Sequence, residues 1–221
     1  MPEVCYRSHS RSGDAAFILL SFRSNFGFPL CYISTGRCEI EQQHLYGFHD
    51  FQSSARGMRP RPDPVVPGQE SVWSYPRPAI AEPTSARIVI EHRGVIVADT
   101  RSSIRTLETS HPPSYYIPRS DIAAGVLRRA TGSSFCEWKG TASYWDVVIG
   151  DSVLPWVAWS YANPSPGFAA LRDHVAFYAG PFERCTVDGE IVIPQPGDFY
   201  GGWITSRLAG PFKGVPGSRL W

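Results

Sequence analysis

From residue 87 onward short apolar runs are bounded by polar and turn residues. Residues 87–91 (RIVIE) and 95–99 (VIVAD) are two such runs rich in β-branched side chains, the composition of strands. His92-Arg93-Gly94 between them predicts a hairpin turn, with glycine supplying a positive φ. Residues 104–108 continue the β pattern, and His111-Pro112-Pro113 predicts a rigid extended break. Ser120 or Asp121 then caps one helical turn through Ala124, stopped by Gly125. Residues 134–139 and 142–149 read as strands joined at Gly140-Thr141, and Gly150-Asp151 turns the chain into a strand at 153–161. Ser165 and Pro166 open the one short helix, residues 167–172. A strand at 174–178 and a hairpin of 183–187 and 190–193 on Asp188-Gly189 complete the pattern. The rest of the chain is rich in glycine and aromatics and is expected to fold back over the sheet. The prediction is a mainly β domain of short antiparallel strands with one short helix.

Upstream the pattern changes. Residues 59–83 are proline-rich and should wrap the domain as extended segments, with Trp73 and Tyr75 as anchors. Residues 1–57 show neither strand alternation nor a sustained helical period. We expect them to be an N-terminal extension, poorly ordered or translated from a mis-set start, with the domain spanning residues 58–221 from Met58.

Composition narrows the classes. Seven Trp, twenty Gly and twenty Pro fit many turns and aromatic packing rather than long helices. A net charge of +1 gives no electrostatic case for nucleic acid or an anionic membrane as partner. The apolar run at 15–20 is too short to span a bilayer, and a cytoplasmic location is expected. The five cysteines are odd in number and no two are separated by two residues, which argues against a disulfide framework and a four-cysteine zinc site; no metal is expected. Of 21 basic side chains only Lys139 and Lys213 are lysine. Codon usage in a GC-rich genome accounts for such a bias by itself; under it, a surviving lysine can also mark a place where arginine cannot replace a compact ammonium.

The segments SVWSYPRP, VIVADT, LETSHPPSYYIP, FCEWKGTASYW, AWSYANPSPGF, DHVAFYAG, VDGEIVIPQPGDFYGGW and GPFKGVPG resemble the family catalogued as domain of unknown function 427, which also carries a nucleotidyltransferase-like label. The resemblance covers about residues 69 to 221. It implies a single compact β-tent domain, the fold of methionine sulfoxide reductase B and of the cereblon ligand-binding domain. Several proteins of that fold hold zinc between two Cys-x-x-Cys knuckles; this sequence has neither, so the zinc is not carried over. The family supplies no established activity or cofactor.

Chemistry concentrates between Thr109 and Trp145. Strand alternation through Cys136-Glu137-Trp138-Lys139 puts Cys136 and Trp138 on one face, the core side, and Glu137 and Lys139 on the other, in a cleft edged by His111 or Tyr115. Three readings follow. Glu137 and Lys139, with Tyr115, Tyr116 and Lys213 near them, can bind a polar small molecule and supply acid–base function. Cys136 can act as a thiol nucleophile with His111 or His174 as base, although most free cysteines are buried packing groups. Trp138, Trp145, Trp156, Trp159, Tyr161, Tyr200 and Trp203 can line an aromatic cage without catalysis, although any one Trp is more often core. Nucleotidyl transfer is the weakest reading, because no paired aspartates accompany a Gly-Ser motif. The expected partner is a small molecule bound among HPPSYY, CEWKG and FYGGW.

Because the pattern breaks at Met58, a fragment of residues 58–221 is expected to be soluble and to unfold in one cooperative transition. Urea unfolding followed by tryptophan fluorescence and by circular dichroism checks this; an aggregated or non-cooperative fragment would show that the domain needs more of the chain.

Overall fold

The computed structural model describes residues 59–197 and 199–221, so the expected extension and the start at Met58 lie outside the described residues. The two apolar runs at 87–99 fold into β3 (Ile88–His92) and β4 (Val95–Thr100), paired across Arg93 and Gly94. Both turn residues have positive φ, 52° and 73°, the geometry that matches the twist of a two-residue hairpin. Asp188 and Gly189 do the same between β11 (Arg184–Val187) and β12 (Glu190–Ile191). These four strands form an antiparallel sheet in the order β12-β11-β3-β4.

A second, seven-stranded sheet holds β2 (Ile80–Thr84), β5 (Ser103–Leu107), β6 (Ser114–Pro118), β7 (Leu127–Cys136), β8 (Gly140–Ile149), β9 (Ser152–Ser160) and β10 (His174–Phe177). Its order is β2-β5-β6-β10-β9-β8-β7, antiparallel throughout. Pro83 is tolerated because β2 is an edge strand. Pro155 and Trp156 sit where the β8–β9 register shifts, opposite Asp146, whose carboxylate accepts the Trp156 N–H at 3.0 Å. Two small pairs finish the fold: β1 (Glu70–Ser71) with β15 (Leu208–Ala209), and β13 (Ile193–Pro194) with β14 (Trp203–Ile204).

The domain is mainly β, as the pattern predicts, and its element boundaries differ in three places. The strand at 114–118 follows directly on the His-Pro-Pro break. β7 begins at Leu127 rather than 134, because Arg128, Arg129, Thr131 and Ser133 are exposed on this edge strand and give no apolar alternation. The turn expected at 121–124 lies at Arg119–Asp121, wound as a 3-10 turn. The short helix, Pro166–Leu171, is likewise 3-10, with a kink at Phe168.

The two sheets share one core. Ile88, Ile90, Val97, Cys185 and Val187 from the smaller sheet meet Tyr115, Ile117, Val147, Val157, Val175 and Phe177 from the larger. Alternation along the larger sheet leaves a second face, carrying Ile104, Tyr116, Ala142, Trp159 and Ala176, with Phe168 and Leu171 of the 3-10 segment packed on it. Trp73 and Tyr75 anchor the proline-rich segment in a third cluster with Val72 and Leu107, as expected.

The chain between β13 and β14 returns to this second face through close backbone approaches. A Cβ on Gly202 would collide with the Pro112 carbonyl oxygen and lie 2.5 Å from Gln195 Oε1. Neither group is the free end of a flexible chain. Gly202→Ala is therefore expected to cost about 2 kcal/mol of stability, the scale of an overpacked site, seen as a lowered urea midpoint at unchanged m.

Candidate functional site

On β6, Tyr116 points away from the sheet-to-sheet core while Tyr115 points into it. Tyr116 forms part of the floor of a cleft of about 600 Å³ on the second face of the larger sheet. Ala142 and Tyr144 of β8, Trp159 of β9, and Tyr161 and Tyr178 just past their strands line the same floor. One wall is the segment 134–139 and the other is the returning tail with Gln195, Tyr200, Gly201 and Lys213. His111, Arg77 and Glu108 close the end between them.

The first wall explains itself locally. β7 ends at Cys136, which pairs with Gly140, so Glu137, Trp138 and Lys139 form a three-residue hairpin loop. Gly140 at φ 95° provides the left-handed residue such a loop needs. Ser134, Cys136 and Trp138 turn inward, half-buried, while Phe135 and Glu137 are exposed. Lys139 lies beyond the last ladder position, so strand alternation no longer governs it, and it lines the cleft beside Cys136 and Trp138. The expected separation of Cys136 in the core from Lys139 in the cleft is thus corrected: both face the cleft. Ser165 makes no helix cap with its side chain; its hydroxyl donates to the Trp138 carbonyl and its N–H donates to the Lys139 carbonyl at 3.2 Å, so it fastens the loop.

The floor is a set of aromatic rings with hydroxyls. The Trp159 indole N–H donates to the Tyr116 hydroxyl at 3.1 Å, and the Tyr144 hydroxyl lies 2.8 Å from Ser134 Oγ. Trp159 packs on Tyr178 with ring centres 4.6 Å apart. Cys136 lies beside the Tyr161 and Tyr116 hydroxyls. Burial first, and then neighbouring Tyr116 and Cys136, raises the Tyr161 pKa well above its ordinary value. Burial also dominates at Tyr178, pushed up to about 12. These hydroxyls stay protonated at neutral pH and offer hydrogen bonds rather than bases.

At the far end a buried amide sets the chemistry of His111. Gly202 N–H donates to Gln195 Oε1 at 3.0 Å, which fixes the amide's orientation. Gln195 Nε2 then donates to the Lys213 carbonyl at 2.8 Å and to His111 Nδ1 at 3.1 Å. His111 is therefore the neutral tautomer with its proton on Nε2. Burial, followed by Lys213, Lys139 and Arg77, pulls its pKa down to about 3. At neutral pH it is an uncharged imidazole that donates through Nε2–H.

Of the residues singled out from sequence, His111, Tyr116, Cys136, Glu137, Trp138, Lys139, Trp159, Tyr200 and Lys213 line this one cleft. Tyr115 and Trp203 do not. Both lie in the core, 5.7 Å apart between ring centres, and the Trp203 indole donates to the Phe177 carbonyl at 2.9 Å. For Tyr115 the reason is alternation on β6, which gives the cleft to Tyr116 alone. His174, at the start of β10, is not among the cleft residues; its Nδ1 lies 2.8 Å from the Arg172 carbonyl. Tyr161, also expected in the aromatic cage, lines the cleft as well, whereas Trp145 and Trp156 are not among the cleft residues. Sequence reasoning missed Arg77, Glu108, Tyr178 and Gln195, and Gln195 carried no signal.

Residues 80–188 match the family described as Domain of unknown function (DUF427). The likeness to that family extends over this segment. No curated protein matches the chain. The matched DUF427 segment runs from β2 to β11 and so supplies the floor and the Cys136–Lys139 wall, while Arg77, Gln195, Tyr200 and Lys213 come from the flanks. Among the described residues no group of three His, Cys, Asp or Glu side chains is placed to hold a metal ion, and no helix is long and apolar enough to cross a membrane.

His111 gives a pH signature. Its folded pKa lies below its unfolded value of 6.5, so the unfolded chain binds the extra proton and stability falls as pH drops from 6.5 toward about 3. Between pH 6.5 and about pH 5, before most carboxylates titrate, the loss should approach about 2 kcal/mol. His111→Gln should flatten that part of the stability–pH curve. Denaturant unfolding of both proteins at a series of pH values measures it.

Proposed function

We propose that the cleft is a small-molecule-binding site that recognises its ligand without acid–base or thiol catalysis. The observation that carries this reading is the floor: Tyr116, Trp159, Tyr161 and Tyr178 present ring faces and protonated hydroxyls to a cleft of about 600 Å³, within the usual volume range of ligand pockets. The groups that would run catalysis are set against it. A general base needs a pKa near the working pH, and His111 is far below. A nucleophilic thiol needs an adjacent base; Cys136 stands beside the Tyr161 and Tyr116 hydroxyls, and the Nδ1 atoms of His111 and His174 are engaged by Gln195 and the Arg172 carbonyl. Metal-assisted nucleotidyl transfer needs carboxylates gathered on one site. Here Glu108 is 3.9 Å from Arg77 and accepts from the Trp138 indole at 3.4 Å, and Glu137 is exposed.

Screening aromatic metabolites by thermal shift tests the proposal. Compounds that bind are expected to raise the Tm of the full chain, by linkage. Ser114→Trp, which places a bulky ring on the half-buried cleft wall, should abolish that rise while leaving the unliganded far-UV spectrum intact. Shifts that persist in Ser114→Trp would place the binding elsewhere, and turnover that disappears with Cys136→Ser would return the thiol reading.

A further inference from the structure

We propose that the cleft selects a planar aromatic ring that carries an oxyanion, a carboxylate or a phosphate ester, and that the acid group sits between Lys139, Lys213 and His111. This rests on the binding reading above and names its ligand class. The chain's two lysines, 74 positions apart in a sequence otherwise dependent on arginine, line the same cleft. Neither makes an ion pair with a side-chain carboxylate among the described residues. The Lys139 ammonium lies 5.5 Å from the Phe168 ring centre, a cation resting on an aromatic face. Lys213 is only 6% exposed; its ammonium donates to the Trp221 main-chain oxygen at 2.8 Å and stands 5.9 Å from the Tyr200 ring centre. The Arg77 guanidinium reaches the same oxygen at 3.5 Å, so two cations gather at this end of the cleft.

The third member is His111. Gln195 occupies its Nδ1, so Nε2–H remains as a neutral donor. Arg77, the remaining cation, is already turned to Glu108 at 3.9 Å. Two compact ammoniums and one imidazole N–H suit the oxygens of a single acid group. The uncharged floor of Tyr116 and Trp159 leaves the rest of the ligand to be recognised by stacking, for which a flat ring is the best fit. Burial, followed by Arg77, lowers the Lys213 pKa, and a bound anion would relieve that strain on its charge.

The test uses the full chain and three matched probes: 2-naphthoate, 2-naphthyl phosphate and neutral 2-naphthylmethanol, titrated with tryptophan fluorescence and calorimetry as readouts. At least one acid is expected to bind about tenfold or more tighter than the alcohol, and raised salt should erode that margin. Whichever acid binds tighter identifies the oxyanion. Lys139→Met should remove most of the margin and leave alcohol binding unchanged; Lys139→Gln repeats the loss of charge if the Met variant folds poorly. Equal binding of all three probes, or a margin untouched by both variants, overturns the anion site while the cleft reading stands. Binding of none of the three overturns the cleft reading and this proposal with it.

Discussion

The side-chain amide of Gln195 is the fastening on which the site depends. It is 5% exposed and takes part in three hydrogen bonds, to Gly202 N–H, the Lys213 carbonyl and His111 Nδ1. Its backbone N–H adds a fourth, to the Gly202 carbonyl. One residue thereby ties the His-Pro-Pro segment to two points of the returning tail. Each partner is a group that would otherwise be buried unpaired, at a cost of about 1–3 kcal/mol apiece. Because an amide has a fixed donor end and a fixed acceptor end, the same contacts that hold the tail also decide which histidine nitrogen carries the proton. Structure and site chemistry are coupled through a single planar group.

That coupling shapes the electrostatics. A histidine beside a carboxylate would be held charged; here its neighbours are cations and its one ring partner is an N–H donor. The outcome is a cleft end with positive charge on Lys139, Lys213 and Arg77 and a neutral imidazole between. Glu108, which could have neutralised a lysine, is directed to Arg77 and the Trp138 indole.

Much of the fold could be read from sequence because its signals are local. Arg93-Gly94 and Asp188-Gly189 encode their hairpins in two residues each, and the β-branched runs on either side of Arg93-Gly94 encode the strands. β7 was only partly legible since an edge strand with both faces polar has no period to detect. For the same reason the site was half legible. Reactive residue types in CEWKG and the scarcity of lysine point to Cys136, Lys139 and Lys213 directly. Alternation sends Tyr115 and Tyr116 to opposite faces once residues 114–118 form a strand, but that strand was not read from the pattern, so neither was the choice of which tyrosine takes the cleft. Gln195 is invisible in sequence because its role consists entirely of partners 7, 18 and 84 residues away.

The hairpin loop 137–139 shows how the sheet serves the cleft. A loop at the end of an edge hairpin is ordinarily free to sway, and a lysine on it would sample solvent. Here Ser165, expected to cap a helix, instead binds the carbonyls of Trp138 and Lys139 through its hydroxyl and its N–H. The 3-10 segment that follows supplies the Phe168 ring beneath the Lys139 ammonium. The segment therefore does two jobs at once: it covers part of the second sheet face with Phe168 and Leu171, and it holds Lys139 at the cleft without offering it a carboxylate. An acidic residue in place of Phe168 would quench the charge within the protein. An aromatic ring supports it while leaving its attraction for an incoming anion unspent.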